Sequence, residues 1–264
     1  METEKQKLDA KLNNFIGLTA RSKVAVIVPM YGYWKDTESQ QLNEETLKYS
    51  LDRIYSSVHE LYLIVVAEDR RMSREVMSIL AGKKKAGNFI GVPAEAGTTY
   101  AEYVRMGMDV ALSEANKAEY IVIVNPWMIC QHNGVDVLVD RANRADDARI
   151  IAGYDIKGLV KGEEFDVFTT TSPVEQRDLN LNFVAMKRYM AEECPLDTRY
   201  RTHAFLARDL AASVYSRGYE VITSQRIPIF TFDVDFKELE SEENFEHDRQ
   251  IFIEKWKYDP GICY

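Results

Sequence analysis

The sequence is poor in the features that mark several common kinds of protein. Only three cysteines occur in 264 residues, Cys130, Cys194 and Cys263. None stands in a CxxC spacing, which excludes a disulfide framework and a cysteine-rich zinc site as organising principles. A reducing compartment fits that usage. No apolar run approaches the ~20 residues that span a bilayer, and the opening METEKQKLDAKLNN lacks the apolar core of a signal peptide. The expectation is a soluble, cytoplasmic protein. Positive charge is also in the minority: 33 Lys and Arg against 42 Asp and Glu leave a net −9. A field of that sign repels a phosphate backbone and argues against nucleic acid as a partner. The one basic run, Lys83-Lys84-Lys85, reads as a solvated loop. The phosphate-cradling loop G-x-x-x-x-G-K-[ST], the dinucleotide G-x-G-x-x-G, the G-x-S-x-G elbow and H-E-x-x-H are all missing.

What is there is ordinary globular chemistry, 46% apolar and 28% charged, enough to bury a sizeable core. Val24 to Met30 is a short apolar run rich in β-branched residues, the pattern of a strand covered on both faces. Leu47, Leu51, Ile54 and Val58 recur at helical spacing, predicting a helix over Asn43 to His59. Leu61 to Ala67 reads as a second strand, Ser73 to Ala81 as a helix, and Asn88 to Val92 as a weaker strand. Tyr100 to Ala115 reads as a helix, and Tyr120 to Val124 as a strand stopped by Asn125-Pro126. This alternation calls for an α/β fold with a mainly parallel central sheet covered by helices. Ligands of such sheets bind at the carboxyl ends of the strands. Pro29 to Tyr31, Glu68 to Arg71 and Asn125 to Trp127 are therefore the segments to examine for function.

The second half predicts strands at Arg149 to Tyr154, Phe165 to Thr171, Asn182 to Met186, Tyr219 to Ile222 and Ile229 to Phe232. Helices are expected at Phe205 to Ser216 and Glu243 to Trp256. No repeat, low-complexity stretch or Pro/Gly/Ser linker divides the chain, so one domain is expected over residues 1–264.

Several segments carry a resemblance. VAVIVPMY is similar to the opening strand of the inverting family 2 glycosyltransferases of the GT-A fold. EETLKYSLDRI resembles their "L-x-x-x-L-x-S-I" helix, and LYLIVVAED the strand that ends in paired aspartates. GTTYAEYVRMG resembles "G-x-x-x-A-x-x-x-x-x-G", and YIVIVNPWM the strand that leads into the D-x-D motif. DLAASVYSRGYEV resembles "E-D-x-D-L-x-x-R-x-x-x-x-G-Y-x-V", and the HDRQIFIEKW tail is similar to rhamnosyltransferase-like members. The resemblance implies a GT-A-like fold, with a nucleotide-binding lobe over 1–130 and an acceptor-side lobe and C-terminal helix over 131–264. It implies a nucleoside-diphosphate sugar as donor and a glycan or other acceptor, used in making a polysaccharide, with inversion. Pro29 and Tyr31 then border the base, Glu68 grips the nucleoside, and Asn125 and Trp127 stand where the D-x-D would be. Arg105 replaces a commoner asparagine, where a guanidinium can pair with a diphosphate; a surface arginine on an amphipathic helix serves equally.

Two departures bear on the chemistry. The D-x-D holds Mn²⁺ or Mg²⁺ because a cation bridging two phosphates wants carboxylate oxygens. This chain reads Asn125-Pro126-Trp127, which brings the usual metal site into question. Asp233 and Asp235, on one face of an extended FDVDF, offer a displaced site or simply flank an edge strand. Leu206 and Ala207 occupy the place of the paired acids, leaving Asp209, or His203 six residues earlier, as candidate general base. Both residues have plainer roles available, on a helix surface or in the packing. The losses together keep open a non-catalytic glycosyltransferase-like nucleotide- or sugar-binding or scaffold protein.

Overall fold

The computed structural model describes residues 22–31, 48–54, 57, 59–68, 89–113, 117–144, 149–155, 179–231 and 241–259. In chain order the strands are β1 Lys23–Pro29, β2 Glu60–Ala67, β3 Phe89–Pro93, β4 Tyr120–Val124, β5 Met128–Cys130, β6 Arg149–Asp155, β7 Phe183–Lys187 and β8 Glu220–Thr231. The helices are α1 over 48–54, then α2 Tyr100–Leu112, α3 Gly134–Arg144, α4 Arg188–Glu193, α5 His203–Ser216 and α6 Glu242–Trp256.

The eight strands form one sheet in the order β3-β2-β1-β4-β7-β6-β8-β5. Parallel pairing joins β3, β2, β1 and β4. The antiparallel β7 is inserted between β4 and β6, β6 and β8 are again parallel, and β5 closes the edge antiparallel to β8. The period-2 alternation of strand side chains sorts the apolar residues into two cores. Ala25, Ile27, Ile64, Val66, Ile121 and Ile123 face one side, which α2, α5 and α6 cover with Val104, Met108, Leu210 and Phe252. Val24, Val26, Val28, Leu63, Val65 and Val122 face the other, covered by Leu51 and Ile54 of α1 and Leu138 of α3. That double cover is why the central strands are uninterrupted hydrophobic runs.

The two glycines of the GTTYAEYVRMG segment have separate jobs. Gly97 takes φ +84°, a left-handed turn that an L side chain resists, just before α2. Gly107 lies where a Cβ would come within 2.4 Å of Ile27 Cγ2, so its missing side chain lets α2 settle on β1. Thr99 caps α2 through a capping box with Glu102, fixing where Tyr100 begins.

One expectation changes. The two strands expected at Tyr219 to Ile222 and Ile229 to Phe232 merge, as far as the described residues go, into one strand, β8, whose register against β6 jumps from Gly153↔Ser224 to Tyr154↔Pro228. Pro228 lacks a backbone N–H and sits at the irregular register. β5, α3 and α4 were not anticipated. The strand at Phe165 to Thr171 and the helix at Ser73 to Ala81 lie outside the described residues. Among the described residues no helix is long and apolar enough to cross a membrane.

Candidate functional site

The carboxyl ends of β1, β2 and β4 lie side by side, because Pro29 pairs with Val66 and Ile27 pairs with Ile123 in parallel register. Beyond them the chain supplies Tyr31, Glu68 and Asn125. Asn125 ends β4 as the first residue of a turn with Pro126 second, closed by Met128 N–H donating to Asn125 O at 3.2 Å. Asn at the first position and Pro at the next suit such a turn. That is a local reason for Asn-Pro, independent of any ligand.

Asn125 is fully buried, and its amide is the hub of the site. Its Oδ1 accepts the Tyr100 hydroxyl at 2.8 Å. Its Nδ2 donates to Asn182 Oδ1 at 2.8 Å and faces His203 Nε2 at 3.4 Å. Burial pushes the Tyr100 phenol well above its ordinary pKa, so it stays a hydroxyl donor. The Tyr100 ring lies 5.2 Å from the His203 ring and 6.5 Å from Trp127. Tyr31 meets Tyr100 edge-on at 6.1 Å and Tyr103 edge-on at 5.3 Å. Tyr103 in turn hydrogen-bonds the backbone of Glu68; burial first, then the Glu68 charge, pushes its phenol up to about 12. Glu68 itself is exposed.

The structure thus links Pro29, Tyr31, Glu68, Asn125, Trp127 and His203 in one strand-end cluster. Sequence reasoning missed the linkers Tyr100, Tyr103 and Asn182. The only signal for the tyrosines was their place at the start of the helix that follows Gly97.

Arg105 is not brought in. Its side chain is 41% exposed and its Nε pairs with Asp109 at 2.8 Å. Asp209 has a different setting again. It is buried, accepting from Tyr200 Oη at 3.2 Å, Trp256 Nε1 at 2.8 Å and Lys255 Nζ at 2.9 Å. All three of these contacts are with donors, one of them cationic, and two of the three come from α6. On α5 it also lies about 240° around the helix from His203. Leu206 and Ala207, where the acid pair was sought, are buried core residues.

α6 also holds the start of α5. Asp248 is buried and accepts from Thr202 N at 2.7 Å, Thr202 Oγ1 at 2.7 Å and Arg201 N at 3.0 Å, fixing the turn from which His203 begins α5.

A hard cation does not fit the D-x-D position. The one oxygen of the Asn125 side chain already accepts from Tyr100, and Trp127 offers a buried indole. Among the described residues no group of three or more His, Cys, Asp or Glu converges as a metal site. Asp233 and Asp235 lie outside the described residues.

No family model matches the sequence, and no curated protein matches it. Solved structures do match in fold. Residues 1–349 of S. aureus TarS superpose with TM-score 0.60 at 10% identity, over 91% of this chain and 67% of that one. The mannosyltransferase PcManGT of Pyrobaculum calidifontis, in complex with GDP-Man and Mn²⁺, gives 0.57 at 12%, over 97% and 73%. GalNAc-T7 with UDP, GalNAc and Mn²⁺ gives 0.59 at 11%, over 93% of this chain but 53% of that one. The chain has a GT-A-type fold.

Proposed function

We propose that the chain is a glycosyltransferase that binds a nucleoside-diphosphate sugar across the ends of β1, β2 and β4 and passes the sugar to a glycan hydroxyl with inversion. The observation that carries this is the strand-end cluster: Tyr31, Glu68, Asn125 and His203 meet where a sheet of this type binds its ligand. Two structures of the same fold hold GDP-Man or UDP. Tyr31 supplies an aromatic edge for the base, and Glu68 an exposed acceptor for ribose or base donors.

His203 is the acceptor-side base in this reading, and Asp209 is not. The hydroxyl proton passes to the imidazole as its oxygen bonds the anomeric carbon. The bond from that carbon to the diphosphate breaks, with its electron pair leaving on the nucleoside diphosphate. Attack from the face opposite the leaving group inverts the centre. No step is routed through a D-x-D cation, because Asn125 and Trp127 do not fit one.

The test is turnover with a panel of nucleotide-sugars and glycan acceptors, the anomeric configuration of the product being read by NMR. His203→Gln is expected to lower kcat about 10²–10⁴-fold while Asp209→Asn retains turnover per folded molecule. Nucleotide binding with no turnover on any donor would favour the non-catalytic reading.

A further inference from the structure

The Asn125 amide has three polar contacts, and together they leave it one orientation. Tyr100 has a hydroxyl hydrogen to give, and burial opposes its ionisation, so Asn125 Oδ1 is the acceptor at 2.8 Å. The amide nitrogen then has two hydrogens and two acceptors, Asn182 Oδ1 at 2.8 Å and His203 Nε2 at 3.4 Å. The Asn182 backbone is held there as well: its carbonyl accepts from Asn125 N at 2.9 Å and its N–H donates to Asn180 Oδ1 at 3.1 Å. A group that faces an N–H donor must offer a lone pair.

We infer that Tyr100 and Asn125 are positioning residues that hold His203 neutral in the Nδ1–H tautomer, with the lone pair on Nε2. A proton on Nε2 would confront the Asn125 amino group, so both the imidazolium and the other tautomer are disfavoured. Among the groups that face the ring are the Tyr100 phenol from α2 and the Asn125 amide at the end of β4. Both are uncharged, so they act on the ring through hydrogen-bond direction. A neutral imidazole with its lone pair in place is the form a general base requires. The 3.4 Å contact is long for a hydrogen bond, so an acceptor hydroxyl can take its place. The same arrangement explains why an amide suits the position where a metal-binding carboxylate was sought. A carboxylate there would have no hydrogen to give and would instead call a proton onto His203. The purpose assigned to this arrangement rests on the reading of His203 as base; its test does not.

The experiment is nitrogen-15 NMR of the histidine rings across a pH series, the His203 signal being the one lost in His203→Gln among the four histidines of the chain. Wild type is expected to show a protonated Nδ1 and an unprotonated Nε2 at neutral pH. Asn125→Asp is expected to move the proton to Nε2 and raise the His203 pKa by about 1–3 units, as an adjacent carboxylate does. Tyr100→Phe removes the donor that orients the amide, and is expected to give a mixture of tautomers. It serves also where Asn125→Asp fails to fold. A wild-type ring protonated on Nε2, or a ring whose tautomer and pKa are unmoved in the variants that fold, overturns the inference. If the pKa moves but the acid limb of the pH–rate profile does not follow it, the positioning stands and the base assignment fails.

Discussion

The indole N–H of Trp256 donates to Asp209 at 2.8 Å, joining the end of α6 to the middle of α5 across 47 residues. Lys255 reaches the same carboxylate at 2.9 Å and Tyr200 at 3.2 Å. Asp209 is therefore an anchor for the C-terminal helix. Asp209→Ala is expected to cost about 2–3 kcal/mol, since hydrogen bonds to a charged group are lost and a tryptophan donor loses its acceptor. Urea unfolding measures this; an unchanged midpoint would contradict the anchor.

Asp248, in the middle of α6, holds the turn that begins α5. Asp248→Ala leaves the buried Thr202 amide and hydroxyl without their acceptor, and is expected to cost about 2–4 kcal/mol. Because Thr202 precedes His203, turnover per folded molecule should fall as well. In Asp209→Asn it should hold, and the two variants measured side by side separate anchoring from positioning.

Gly107→Ala tests the seat of α2. The new Cβ would meet Ile27 Cγ2 at 2.4 Å, and overpacking of this kind costs about 1–3 kcal/mol. The double variant with Ile27→Ala should lose less than the sum of the two single losses, because each change makes room for the other. Strict additivity in denaturant titrations would show that α2 does not lean on β1 there.

His59 predicts a pH dependence. It is buried, neither ring nitrogen is hydrogen-bonded among the described residues, and it lies 3.9 Å from Asp136, which the Ser57 hydroxyl also contacts. Burial lowers its pKa from 6.5, opposed by Asp136, Glu119 and Asp140. The unfolded chain therefore binds this proton more readily than the folded one. The His59 contribution is complete above pH 6.5 and is lost as the pH falls below it. Unfolding free energies at pH 7.5 and 5.5 should differ more in wild type than in His59→Gln; an equal difference in both would remove the assignment.

The central strands were legible in the sequence because they are buried on both faces and so carry unbroken apolar runs. β4 has the bounds that its five residues YIVIV suggest. β5 was not, since a three-residue edge strand leaves no periodicity to detect. The one long strand β8 was read as two, split where its register against β6 is irregular. At the site, the backbone-determined part was readable: Pro29 ends β1, Glu68 and Asn125 follow β2 and β4, and parallel pairing brings strand ends together. What joins them was not readable. Tyr100, Asn182 and His203 meet Asn125 from 25, 57 and 78 residues away, and no local pattern encodes such contacts. Nor does sequence spacing show where Asp209 goes: six residues from His203, it is turned by the helix toward Lys255 and Trp256 of α6.

Calorimetric titration of UDP- and GDP-sugars in EDTA, into wild type and Glu68→Ala, tests the central claim most directly. The account predicts binding to wild type without a divalent cation, weakened in Glu68→Ala by about 1.5–3 kcal/mol through loss of a charged hydrogen-bond acceptor. Absence of binding for every nucleotide, or an affinity identical in the two proteins, would contradict a donor site at the ends of β1, β2 and β4.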